Sequence, residues 1–225
     1  MSSVQIFIET SPKKTFAGAI HWPGWCRSGK DENAAIETLF EYRLRYKQVL
    51  KARGIDFSPP SNLTDFSIVE KVEGNSTTAF GAPAILLKDD LKWYDHSDLE
   101  RWENLLHASW MAFDQAVALG KGKELRKGPR GGGRDLEKIL HHILEADKAY
   151  LNRLAWKQTK NDEADISKQI SLKRREIIKA LTTAVTEGLP EKGPRGGLIW
   201  PIRFFVRRVV WHVLDHTWEI EDRIM

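Results

Sequence analysis

From Asp89 to the end of its 225 residues, the chain reads as four long stretches of helical periodicity with turn-rich connections between them. They are "HSDLERWENLLHASWMAFDQAVAL" (96–119), "RDLEKILHHILEADKAYLNRLAWK" (134–157), "SKQISLKRREIIKALTTAVTEG" (167–188) and "WPIRFFVRRVVWHVLDHTWEIEDRIM" (200–225). Ser97, with Glu100 three residues on, has the form of a capping box for the first, Gly188 stops the third, and Pro201 suits the first turn of the fourth. Each stretch has an apolar stripe that must be covered, and four of similar length cover one another best as a four-helix bundle.

The chain before them has a different texture. "VQIFIET" and "TFAGAIHW" read as strands joined by an "SPKK" turn, and "PGW" as a second tight turn. "KDENAAIETLFEYRLRYKQVLKARG" (30–54) reads as one helix, acidic at its start and basic at its end, with Gly54 as its stop. "DFSIVEKVEG" and "TAFGAPAILL" read as two further extended segments. The expected class is therefore α+β: a small α/β domain over 1–88 and an all-α four-helix bundle over 89–225.

Composition narrows the functional classes. At 41% hydrophobic and 29% charged, the chain has the makings of an ordinary globular core. No apolar run approaches the roughly 18 residues of a membrane span, and "MSSVQIFIETSPKKTF" lacks the basic-then-apolar order of a secretory signal. The single cysteine, Cys26, rules out an internal disulfide and, with the rest, leads to the expectation of a cytoplasmic protein without a membrane partner. A net charge of +4 suits anionic small molecules but falls short of the clustered charge of a nucleic-acid binder.

The fourth stretch carries His212 and His216. Residues on a helix turn by about 100° each, so these two lie about 40° apart on one stripe, with Glu219 and Phe205 in nearly the same direction. Two imidazoles at i and i+4 can share one metal ion, and a third ligand has to come from another helix. The second stretch offers His141 and His142, which point about 100° apart, and helical geometry does not choose between them. A single histidine in such a place is more often a packed or surface residue; it is the set of three that suggests a metal site with an open position. Glu219, one turn beyond His216, is placed to orient a ligand ring or to act as a base, the catalytic role expected here. Asp215 is turned away and reads as an exposed helix charge, while Asp147 falls within the apolar face of the second stretch.

"HHILEADKAYLNRL" and "VVWHVLDHTWEIEDR" together resemble the DinB/YfiT-like family of four-helix bundles, over a span from about residue 90 to the end. The resemblance implies a divalent metal, zinc, nickel or iron(II), held by one histidine on the second helix and an HxxxH on the last. The family's His-apolar-x-acid run matches "HILEAD", which makes the implied ligands His142, His212 and His216. It further implies a small electrophilic substrate and a low-molecular-weight thiol as co-substrate, in transfer or isomerisation. Separately, "PGWCRSGKDENAAIETL" resembles HicB-like small α/β domains over roughly 4–54. Related domains bind partners in antitoxins, which keeps open a non-catalytic interaction protein with a structural or vestigial metal; the same domain also suits a homodimer contact or a pocket wall.

Two nearly identical phrases, "KGPRGGGRD" (127–135) and "KGPRGG" (192–197), precede the second and fourth stretches. Neither is a Walker loop. In a simple up-down bundle they would meet at one end as a basic rim of Arg130, Arg134 and Arg195, although flexible surface turns are the plainer account. "KRR" at 173–175 and "RR" at 207–208 read as solvated helix faces.

Overall fold

A computed structural model describes residues 3–128, 132–159, 162–193 and 196–225. Its architecture is α+β, an N-terminal sheet followed by helices: β1 (Val4–Thr10), β2 (Thr15–Ala19), β3 (Cys26–Gly29), α1 (Glu32–Glu41), α2 (Arg43–Lys51), β4 (Phe66–Glu73), α3 (Ser76–Phe80), α4 (His96–Gly120), α5 (Leu136–Asn152), α6 (Ile166–Glu187) and α7 (Ile202–Arg223). Among the described residues, no helix is long and apolar enough to cross a membrane.

The sheet runs β3-β2-β1-β4. β2 pairs antiparallel with both β1 and β3, and β4 joins β1 in parallel. A parallel neighbour needs a crossover, and α1 and α2 provide it. Side chains along β1 alternate between two faces, and both are covered. Ile6 and Ile8 join a large apolar cluster with Ala35 and Leu39 of α1, whereas Phe7 joins Phe16, Leu87 and Trp211 in a second one.

Three local expectations are corrected. The 30–54 helix is divided at Tyr42, whose ring packs 4.9 Å from that of Trp218 and whose hydroxyl donates to Asp222 at 2.9 Å, so a contact with α7 sets the break. The segment 78–87 is not extended. Asn75 caps the short α3, Gly81 ends it at φ +130°, and the loop beyond turns its backbone inward. There the N–H groups of Ala84 and Ile85 donate to the buried carboxylate of Glu9, at 2.8 and 3.2 Å, with the Thr78 hydroxyl as a further donor. Directly after the "PGW" turn, Cys26–Gly29 forms edge strand β3. Helix α4 is capped by Asp95 rather than Ser97, with Asp98 completing the box; a carboxylate is the better partner for orphan N–H groups at the positive end of a helix.

The bundle runs up-down-down-up. Asp98 pairs with Arg203 and Gly120 lies against Ile220, so α4 and α7 are parallel. The Trp200 N–H donates to the Arg153 carbonyl at 2.9 Å, and Arg223 reaches the Arg134 carbonyl at 2.8 Å, so α5 runs against α7. Arg174 pairs with Asp114, and Thr182 with Glu103, which sets α6 against α4 and alongside α5. The connection from α5 to α6 therefore returns along the bundle. This order separates the two glycine-rich phrases: the first leads into α5 near the C-terminus of α7, the second into α7 near the C-terminus of α5. They do not form one rim, and Arg130 and Arg195 lie outside the described residues.

Helix α7 is the centre of the molecule. Every residue from Phe204 to Leu214 is buried, because α4 and α5 cover one side while the β-sheet turn and the 81–91 segment cover the other. Gly24 makes the close approach possible. It sits at φ +91°, and a Cβ there would lie 2.6 Å from Val210 Cγ1 and 2.8 Å from Leu214 Cδ1. Gly24→Ala is expected to destabilise by about 2–4 kcal/mol, from left-handed strain and overpacking together. Gly54→Ala, at φ +66° in open space, is expected to show only the strain, about 1–2 kcal/mol. Equal denaturation midpoints for the two variants would contradict this account of the α7 contact.

Candidate metal centre

Helix α5 is strongly amphipathic, with Ile139, Ile143, Leu144 and Leu151 buried. His142 lies at the edge of that face and turns toward α7, while the His141 side chain remains 58% exposed beside Glu137. On α7, His212 and His216 are each only 6% exposed. The bundle thus brings together one histidine from α5 and the i, i+4 pair from α7, and one nitrogen from each of the three falls within 4.8 Å of the others. The ring centroids of all three pairs lie 4.7–4.9 Å apart.

The hydrogen bonds show which nitrogens face the centre. His142 Nε2 and His212 Nε2 are 3.0 Å apart. His216 Nδ1 is 2.7 Å from Glu219 Oε2, which leaves its Nε2 free. Glu219 is held in turn by Arg223 through its other oxygen. Both carboxylate oxygens are therefore engaged, and the orienting contact is the one the structure displays. Burial tends to raise the pKa of Glu219, but the His216 hydrogen bond and the Arg223 charge outweigh it and hold the group below the usual range. Burial, then His216 and Arg134, pushes His142 down to about 4. His212 is driven well below its ordinary value by burial, reinforced by both neighbouring histidines. At neutral pH these two rings are uncharged and carry lone pairs.

That donor set fits a divalent ion. Two imidazole nitrogens on one tetrahedral ion, each about 2.0–2.1 Å from it, stand about 3.3 Å apart, close to the 3.0 Å between His142 and His212. Among the described residues no fourth histidine, cysteine or acid joins the group. His212 Nδ1 is buried without a hydrogen-bond partner there, so the orienting contact that His216 has is missing for His212.

The remaining expectations fall elsewhere. Asp215 pairs with Arg27 at 2.8 Å instead of standing free in solvent. Asp147 is 1% exposed, and neither of its oxygens has a partner among the described residues. Arg207 and Arg208 are not a solvated face, because α7 is enclosed on both sides. Lys173 is buried too, with Glu176 at 3.1 Å, whereas Arg175 is exposed as expected. Cys26 is buried, and burial raises its thiol far above the ordinary value. Two neighbours of the centre escaped the sequence reading. Arg223 stands four residues beyond Glu219, a spacing that pairs such groups on a helix. Tyr150, whose ring lies 5.7 Å from that of His212, had no such signal.

No protein-family model matches the chain, and neither a curated protein nor a solved structure is significantly similar to it. The two family resemblances therefore rest on the quoted motifs.

Proposed function

We propose that the protein is a divalent-metal-dependent enzyme that joins a low-molecular-weight thiol to a small electrophilic substrate, with His142, His212 and His216 as its metal ligands. The observation that carries the metal site is the convergence of three imidazole nitrogens from two helices within 4.8 Å. An ion bound by three neutral ligands keeps its full charge and lowers the pKa of a thiol or water beside it. In the transfer, a C–S bond forms as the leaving group departs with its electron pair, and the thiol proton passes to solvent. Glu219 is a positioning residue that holds the His216 ring with Nε2 toward the centre. The apolar surroundings of α7 exclude water from the two buried ligands.

A second reading has its own support. His212 and His216 are each 6% exposed, and such burial suits a structural ion in a non-catalytic interaction protein. The two readings part on chelation and turnover. A structural ion makes the fold depend on metal; a catalytic one makes turnover of chlorodinitrobenzene with a small thiol depend on it.

The test of the site itself is metal content in tag-free protein. Near-stoichiometric zinc, nickel or iron(II) is expected in the parent and none in a folded His212→Ala/His216→Ala variant. Glu219→Gln is expected to weaken metal affinity about 10- to 100-fold. A parent that takes up no metal after incubation with each of the three ions would end the ligand assignment.

A further inference from the structure

Arg208 precedes His212 by one helical turn and is 7% exposed, yet among the described residues it has no carboxylate partner. Its guanidinium donates to two neutral oxygens, the Pro83 carbonyl and, at 3.4 Å, the Tyr150 hydroxyl. A buried cation without a counter-charge is costly, and here it borders open space. A cleft of about 660 Å³ is lined by Arg208 together with Thr77, Tyr150, Asn152, Arg153 and Trp200. No acidic side chain lines it among the described residues. Arg153 lies 5.6 Å from the Trp200 ring and has no ion pair among the described residues. Tyr150 and Trp200 stand 5.4 Å apart at 41°, leaving two aromatic walls beside the two cations. Tyr150 is also the ring next to His212, at 5.7 Å.

We propose that this cleft binds a small organic carboxylate, its charge between Arg208 and Arg153 and its planar body against Tyr150 and Trp200. Arg208 provides the fixed, desolvated donor, because α7 and the Pro83 carbonyl hold it in place; a preorganised guanidinium suits a carboxylate's two oxygens. Arg153, on the exposed side, adds charge and closes over the aromatic edge. Thr77 comes from the N-terminal part, so the α/β segment contributes to the wall. That the bound carboxylate is the electrophilic substrate rests on the proposed function above; binding of the anion does not.

Calorimetric titration of the full chain with benzoate and with benzamide tests the cleft. Benzoate is expected to bind at least about tenfold more tightly than its neutral analogue, since only the anion answers the two guanidiniums. Arg208→Gln is expected to weaken benzoate at least about tenfold, and Arg153→Gln severalfold, with benzamide unchanged in both. Arg153 is exposed, so Arg153→Gln keeps the test valid if Arg208→Gln does not fold. No saturable benzoate binding, equal binding of the two probes, or unchanged benzoate affinity in Arg153→Gln would overturn the proposal. The same titration on the His212→Ala/His216→Ala variant separates the two ideas. Benzoate bound there as in the parent supports the cleft on its own, whatever the metal analysis returns.

Discussion

Asp90→Ala is expected to destabilise the protein by about 3–5 kcal/mol, more than any exposed-charge substitution. Asp90 and Arg207 are each 5% exposed and form a two-point pair, with Arg207 Nε 3.2 Å from Asp90 Oδ1 and its Nη2 on Oδ2. Asp90 also accepts from the Leu87 N–H at 2.8 Å, and Arg207 donates to the Ile85 carbonyl at 2.9 Å. The pair therefore fastens the 81–91 segment to the middle of α7. Removing the acid leaves a guanidinium buried between the Phe7 and Phe204 rings, 5.1 and 5.0 Å from their centres, with no counter-charge. The loss arises from the stranded charge, so Asp90→Leu/Arg207→Met is expected to recover most of it. Denaturant midpoints for the two variants decide the matter. A single variant within about 1 kcal/mol of the parent would show that the pair contributes no more than an exposed one.

Asp147→Asn is expected to act in the opposite direction and to depend on pH. Burial raises the Asp147 carboxyl from an ordinary 3.8 to about 7, with the Arg174 charge opposing it only in part. A raised pKa means that the folded protein holds a proton the unfolded chain has released. The contribution of this group is therefore most favourable below about pH 4, declines as pH rises from 4 to 7, and stays at its lowest above 7. Integrated across that window the decline is roughly 4 kcal/mol. Asparagine has nearly the same shape and does not titrate, so the stability of Asp147→Asn relative to the parent is expected to rise from about pH 4 to 7 and to level off above 7. The gain should approach about 1.4 kcal/mol per pH unit within the window. Chemical denaturation at pH 5, 6, 7 and 8 measures this, and a constant difference between parent and variant would show that Asp147 is not buried as a neutral acid.

The position of the histidines was legible because helical spacing is a local property. His212 and His216 follow from one another by four residues, and Glu219 by three more, whatever surrounds the helix. The four long helices were legible for the same reason, as was the pairing of sheet-like texture with the N-terminal part. His142 over His141 was not open to spacing, since both flank the apolar face; the resemblance chose His142, and packing turns that residue inward. The charges on α7 misled because a basic pair in a helix ordinarily faces water. The neighbouring run "FFV…VVWHVL" indicates a helix apolar nearly all round, and such a helix is enclosed.

What the sequence by itself determined was the short-range order: the strand texture of β1, β2 and β4, the four long helices, and a stripe of imidazoles on the last of them. What only the tertiary structure decided was long-range. Whether Arg208 meets water or a cleft, whether Asp147 has a partner, whether Tyr42 breaks its helix, and which way α5 runs past α7 all depend on elements tens to hundreds of residues away. Backbone periodicity comes from repeated local geometry and is written in neighbouring residues. Burial and ionisation come from what the folded chain places around a group, and the chain order does not state that environment.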